Sequence, residues 1–286
     1  RLRTVTGVQT CALPIYQPDF AEAHYNRAQA LFKVGRHEEA LAANRRALEL
    51  NPQWPEALNN HGLIEKHFGR RESAFAYFDR VLALAPRHGE ALNNRGIVLG
   101  ELRRDEEAVA SFDRALAVNP KFAAAHFNRG NALLRLRRFA DAATSYQNTL
   151  AADPHHPYAL GCLAQTKLVF CDWNGLDAVE QRLRQEIATD GVIVSPFSLL
   201  ALSLNASECL RATRHFAARE FPVATRIPAQ PVETAGKLRI AYICNAFRDH
   251  ATMALAARLF ETHDRSRFET IGISYGPDDE IGRAHV

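Results

Sequence analysis

Apolar and polar positions in the first half of the chain recur with a period of 34 residues. Within one period the apolar side chains follow helical spacing in two runs, which in the second unit predict helices over residues 55–68 and 71–84. A proline, which lacks the amide hydrogen of a helix interior, then ends the second helix. These prolines are Pro18, Pro52, Pro86, Pro120 and Pro154. No single helix pair can bury its apolar face alone, so the pattern predicts a stack of helical hairpins.

Small residues and glycines hold fixed places in the period. One position is small in every unit, and we expect it to let neighbouring helices approach closely: Ala28, Gly62, Gly96 and Gly130. The turn between the helices contains Gly35 and Gly69, which tolerate the left-handed backbone that closes a helix. Arginine stands there in the third and fourth units, as Arg103 and Arg137, so the turn motif is degenerate in those units.

A 34-residue period with these features is typical of tetratricopeptide repeats, which the chain resembles over residues 16–154. The resemblance implies four repeats that form a superhelix with a concave groove.

The pattern changes after residue 154. Residues 155–236 read as a last repeat helix followed by a helical linker, with helices predicted over 155–170 and 176–188 and a further helical run from Ser195. Residues 237–280 read as strand, helix, strand, with elements at 238–244, 252–262 and 268–275, which is one βαβ unit. No GxGxxG motif follows the first strand, so the dinucleotide-binding fingerprint is absent.

Three ordered stretches beyond the repeats resemble the bacterial type of O-linked N-acetylglucosamine transferase, related to the plant SPINDLY proteins. They are Cys171-Asp172-Trp173 with Asp177, Ser195-Pro196-Phe197 with the following leucines, and residues 237–279 with Phe247-Arg248-Asp249-His250. The resemblance implies a mainly α fold: a repeat superhelix, a helical linker and the first βαβ unit of a truncated α/β (GT-B) domain.

That family transfers GlcNAc from UDP-GlcNAc to Ser or Thr hydroxyls of proteins, and the resemblance assigns His250 as the catalytic candidate near the reacting sugar. Two departures weaken the match, because Ala246 and Ala254 stand where the family has Asp and His. The family's nucleotide-contacting residues lie mostly in a second lobe that this sequence lacks, so we expect the chain to be inactive and to bind no cofactor of its own. The alternative function is a non-catalytic repeat scaffold.

Asparagine recurs at one position of the first helix in every repeat, as Asn26, Asn60, Asn94 and Asn128. In the family, asparagines at this position line the groove and hold the backbone of a bound polypeptide, so acceptor proteins or peptides are the expected partners. A side-chain amide both donates and accepts hydrogen bonds, which suits that task. The alternative is that these amides only connect neighbouring helices.

The two ends of the sequence resemble translated sequencing adapter. Residues 5–15 read VTGVQTCALPI, and residues 281–286 read IGRAHV, which matches the reverse complement of part of the same adapter. We therefore expect residues 1–15 and 281–286 to be adapter translation that contributes nothing to the fold.

The 286 residues include 35 basic and 32 acidic side chains. Without Arg1, Arg3 and Arg283, the numbers are equal, which argues against nucleic acid or an anionic membrane as partner. The remaining cysteines form no CxxC pair, so neither a zinc site nor a disulfide framework is indicated, and reduced thiols suggest a cytoplasmic protein. They are Cys162, Cys171, Cys209 and Cys244. No stretch is apolar enough to span a membrane, and no metal site is expected.

Overall fold

A computed structural model of the protein describes residues 19–221, 238–244 and 264–274. The chain divides into two units, residues 1–222 and 223–286. The first unit is helical, and the described part of the second unit contains two strands.

Eight helices of the first unit form four hairpins, each with a first helix of 13 residues and a second helix of 14. The helices predicted over residues 55–68 and 71–84 are confirmed to within one residue. The hairpins are α1 Ala21–Lys33 with α2 His37–Leu50, α3 Pro55–His67 with α4 Arg71–Leu84, α5 Gly89–Glu101 with α6 Asp105–Val118, and α7 Ala123–Arg135 with α8 Phe139–Ala152. Successive first helices also contact one another, so they line one side of the array.

Each described repeat proline lies two residues beyond the end of a second helix, as its missing amide hydrogen requires. Each hairpin turn contains one residue in the left-handed region. Gly35 and Gly69 adopt φ values of 81° and 73°, as expected. Arg103 and Arg137 keep the same conformation at 62° and 59°, so the backbone of the turn is retained where its glycine is lost.

In the second, third and fourth repeats, the small position of the period lies against an aromatic ring of the same repeat. A β-carbon at Gly62 would be 2.7 Å from Phe78, and one at Gly130 would be 2.6 Å from Tyr146. Real β-carbons do not approach other atoms so closely, because interiors are packed to contact distance. The expected close approach of helices is therefore confirmed, and its partner is a fully buried ring.

Four further helices follow the last repeat: α9 Ala159–Phe170, α10 Leu176–Ala188, α11 Pro196–Leu199 and α12 Ala206–Glu220. The helix predicted over residues 155–170 begins four residues later, whereas the one over 176–188 lies where it was predicted. Leu163, Leu183 and Val194 share one apolar cluster with Tyr146 and Leu150 of the last repeat. This segment therefore extends the core of the repeats.

The described part of the second unit is a pair of parallel strands, β1 Leu238–Cys244 and β2 Phe268–Ser274. Leu238 pairs with Phe268, and the register continues to Cys244 and Ser274. The helix predicted over residues 252–262 lies outside the described residues, so the βαβ unit as a whole stays a prediction.

Candidate functional site

Two of the repeat asparagines donate hydrogen bonds to the first helix of the preceding repeat. Asn128 Nδ2 donates to Asn93 Oδ1 at 3.0 Å, and Asn94 Nδ2 donates to Asn59 Oδ1 at 3.2 Å. Both donors are half-buried. Each bond joins neighbouring first helices and uses one amide hydrogen, and no described residue donates to the Oδ1 atoms of Asn94 and Asn128.

The other two asparagines behave differently. Asn60 is buried, and its Nδ2 donates to Asn44 Oδ1 on the second helix of the first repeat at 3.0 Å. Asn26 is half-buried and makes no side-chain hydrogen bond within the described part of the chain. The structure therefore places the four residues on successive first helices but gives them three different environments.

Asn128 also lines a cavity of about 400 Å³, formed mainly by α5 and α7. Polar groups at its wall include Asn131, Arg71, Arg103 and Glu101. Arg103 is exposed, and no carboxylate among the described residues pairs with it. We refer to this cavity as the Arg103 pocket.

Two ion pairs at this pocket occupy the same structural position with their charges exchanged. Arg71 Nε donates to Glu101 Oε2 at 3.1 Å. One repeat later, Arg135 Nη2 lies 2.6 Å from Asp105 Oδ1. In both cases the first residue of a second helix meets the last residue of the next first helix.

At the first interface that position is held by two histidines, His37 and His67, whose ring centroids are 3.7 Å apart. Sequence reasoning did not identify any of these pairs. Their signal is a charge that changes sign between repeats at two positions of the period, Arg71 to Asp105 and Glu101 to Arg135, and a search for residues shared by the repeats does not detect it.

A buried polar network lies between the first and second repeats. His61 is 2 % exposed, and its Nδ1 lies 3.2 Å from Asn44 Nδ2. Its Nε2 lies 3.7 Å from Glu65, whose carboxylate accepts a hydrogen bond from Arg70 at 3.2 Å. Burial, helped by the positive charge of Arg45, lowers the pKa of His61 to about 4, although Glu65 acts in the opposite direction. His61 is therefore neutral at pH 7, and it accepts through Nδ1 because Asn44 Nδ2 can only donate.

This network was also missed by sequence reasoning, although the period contains its signal. In the next two repeats the position of His61 is held by Arg95 and Arg129, which pair with Asp79 and Asp113 at 2.6 Å each. The first interface lacks that ion pair because arginine, Arg45, stands where the later repeats have aspartate.

No group of three or more His, Cys, Asp or Glu side chains in the described part of the chain could hold a metal ion. Cys162, Cys171 and Cys209 are free thiols, and burial raises the pKa of Cys162 to about 11. The catalytic candidate His250 lies outside the described residues, as do Ala246 and Ala254. Among the described helices, none has the length and apolar character needed to cross a membrane.

Comparison with protein families confirms the repeats. Tetratricopeptide-repeat models match residues 21–53, 60–117 and 97–157. A search of the curated proteins found no match.

Several solved structures share the fold at low sequence identity. PilF of Pseudomonas aeruginosa is 20 % identical with a TM-score of 0.59, over 71 % of this chain and 93 % of that one. MamA from Desulfovibrio magneticus RS-1 is 23 % identical with a TM-score of 0.52, over 57 % and 92 %. YrrB, described as a tetratricopeptide-repeat protein with an unusual peptide-binding site, is 19 % identical with a TM-score of 0.51, over 72 % and 97 %. From residue 21 to residue 157, the chain is an array of tetratricopeptide repeats.

Proposed function

We propose that the repeats bind an extended polypeptide along their first helices, with Asn26, Asn60, Asn94 and Asn128 as contact residues. The observation that supports this most directly is the geometry of Asn94 and Asn128. Each uses one amide hydrogen within the array, and its Oδ1 accepts no hydrogen bond from a described residue. A free carbonyl oxygen beside a free amide hydrogen matches the hydrogen-bonding groups of a peptide unit, whatever its side chain.

Two further facts favour a binding role. Stacked repeats present a long concave surface, which is the feature such proteins use to hold partners. One structure of the same fold, YrrB, has a peptide-binding site by its own description.

The competing interpretation is that the asparagines only hold neighbouring helices together, and a matched pair of variants separates the two. Replacing Asn94 and Asn128 by alanine removes two of the four proposed peptide contacts together with two helix-to-helix bonds. Replacing Asn59 and Asn93 by alanine removes the same two bonds and leaves Asn94 and Asn128 in place.

In the experiment, a displayed library of short random peptides is selected for binding to the whole chain. Dissociation constants are then measured for the wild type, the two double variants and the variant with all four repeat asparagines changed to alanine. We expect the Asn94/Asn128 variant to lose about three- to tenfold in affinity per lost hydrogen bond, and the Asn59/Asn93 variant to lose little. Equal affinities for all four proteins, with helix content intact, would contradict the proposal.

A second, finer proposal follows from β1 and β2. Parallel strands need a crossover connection, usually a helix, and the helix predicted over residues 252–262 would provide it. Parallel pairing of the first two strands is a feature of α/β domains. It supports the proposal that this chain is part of a glycosyltransferase that moves GlcNAc from UDP-GlcNAc to protein Ser or Thr, with the repeats selecting the acceptor and His250 near the reacting sugar.

Reading the gene beyond residue 279 tests this proposal. A reading frame that continues into a second α/β lobe with a nucleotide site would support it. An unrelated domain would leave the repeats as a binding scaffold and His250 as an ordinary residue of a helix start. For the chain as it stands we expect no turnover of UDP-GlcNAc, and formation of a glycosylated peptide would contradict that expectation.

A further inference from the structure

The Arg103 pocket has a charge that the peptide-binding proposal does not explain. Three arginines line it, Arg71, Arg103 and Arg135, against one glutamate, Glu101. Asp105, which pairs with Arg135, still leaves one positive charge in excess.

The guanidinium groups differ in how many of their hydrogens are used. Arg135 donates through Nε to Asp105 at 2.8 Å, and its Nη2 also lies against the same oxygen. Arg71 uses only Nε toward Glu101, and its two Nη groups make no hydrogen bond to a described residue. Arg103 pairs with no carboxylate among the described residues, so most of the unused donors belong to Arg103 and Arg71.

Two amides stand beside these donors with complementary free groups. Asn131 Oδ1 accepts a hydrogen bond from the Tyr146 hydroxyl at 2.8 Å, which leaves the Nδ2 hydrogens of Asn131 to donate elsewhere. Asn128 has its Nδ2 engaged with Asn93 and its Oδ1 available as an acceptor. The pocket therefore offers donors and positive charge on one side and a peptide-type acceptor at its edge.

Resting on the proposed function, we propose that the Arg103 pocket binds the carboxylate of an Asp or Glu side chain of the bound polypeptide. The carboxylate pairs with Arg103 and the Nη groups of Arg71 and accepts a hydrogen bond from Asn131 Nδ2. Asn128 Oδ1 accepts a hydrogen bond from a backbone N–H of the same segment. Guanidinium and carboxylate form charge-assisted hydrogen bonds, which are stronger than neutral ones. The partner is thus an extended segment with an acidic residue at this point.

The chain offers a matched control, because Arg137 occupies the same place one repeat later. It is also exposed and also has a left-handed backbone, at φ 59° against 62° for Arg103, and it does not line the pocket. Charge reversal at the two positions therefore changes the net charge of the protein equally and differs only in the pocket.

The test uses the tightest acidic peptide selected from the displayed library, its counterpart with Gln in place of each Glu and Asn in place of each Asp, and the whole chain. We expect selected peptides to be enriched in Asp and Glu. We expect Arg103→Glu to lower the affinity for the acidic peptide by about tenfold or more, and Arg137→Glu to lower it by less than about threefold. The neutral counterpart should bind the two variants with equal affinity.

Circular dichroism on both variants checks that the helices are intact. Peptides that bind without acidic enrichment, or an equal effect of the two variants, would overturn the carboxylate site and leave the peptide-binding proposal standing. Failure to select any peptide would count against both.

Discussion

The ring of Phe112 occupies the space that a side chain at Gly96 would need: a β-carbon on Gly96 would lie 2.6 Å from Phe112 Cε1. The same contact recurs between Gly62 and Phe78 in the preceding repeat. In the first repeat both members change together, since Ala28 replaces the glycine and the smaller Asn44 replaces the ring. The packing within a repeat is therefore a relationship between two positions, sixteen residues apart.

Gly96→Ala should destabilise the protein by about 1–3 kcal/mol, because the added methyl overpacks the contact with Phe112. The measurement is urea unfolding, monitored through the loss of helix content. Gly89→Ala is the control, since a β-carbon there meets nothing nearer than Val118 at 3.7 Å. Phe112→Leu should restore part of the loss in the double variant, and additive effects of the two changes would contradict the assigned contact.

Because the turn residue is left-handed in every repeat, replacing a turn glycine and introducing one should change the stability of the protein in opposite directions. Gly69→Ala should destabilise by about 1 kcal/mol although nothing lies within 4 Å of the added carbon, because an L side chain is strained at positive φ. Arg137→Gly should be neutral or stabilise by up to about 1 kcal/mol, since relief of that strain offsets the greater freedom of glycine in the unfolded chain. Thermal unfolding of both variants checks this, and a loss of stability in Arg137→Gly as large as that in Gly69→Ala would contradict the account.

Acid should weaken the interface between the first two repeats through His61. Its pKa in the folded protein is about 4, below the value of about 6.5 in an unfolded chain, so the folded state favours the neutral ring. The contribution to stability is complete above pH 6.5 and is lost progressively as the pH falls from there toward 4.

The measurement compares urea midpoints of the wild type and His61→Gln across that range of pH. Glutamine retains an acceptor for Asn44 but cannot titrate. The stability of the wild type should fall more steeply than that of the variant between pH 6.5 and 4.5, and parallel curves would show that His61 is not the titrating group.

The two ion pairs of opposite order predict that the positive and negative residues of one pair can be exchanged with little loss of stability. Arg71→Glu alone places two carboxylates together at residue 101, and Glu101→Arg alone places two arginines together. Each should cost less than about 1 kcal/mol, because both side chains are partly exposed. The double variant reproduces the arrangement of Asp105 with Arg135 and should regain most of the loss in a double-mutant cycle, and the coupling should shrink at high salt.

Much of the helical fold could be predicted because the same requirements recur in each repeat. A proline after each second helix and a small residue at one position of each first helix recur every 34 residues, so each repeat supports the interpretation of the next. The strand at residues 238–244 was predicted from an apolar run alone and lies where expected.

The polar contacts between repeats could not be predicted in the same way. Asn128 with Asn93 and Arg135 with Asp105 join residues 35 and 30 positions apart, and their identity depends on which two side chains meet across one interface. A repeat period shows what all units share, whereas the His61 network exists because one unit differs. The packing of α10 on α9 and of α12 on α10 has no periodic counterpart, so only the helices themselves could be predicted.

The alternation of Arg71 with Glu101 and Asp105 with Arg135 has a consequence for how this array can change in evolution. Tandem repeats can be lost or duplicated by unequal exchange, and the contacts of Gly62, Gly96 and Gly130 with a ring of the same repeat would survive such an event. Removing one 34-residue unit between these helices, however, would set Arg71 opposite Arg135, two cations where each had an anion. These ion pairs, like the His61 network at the first interface, make the order of the four repeats matter.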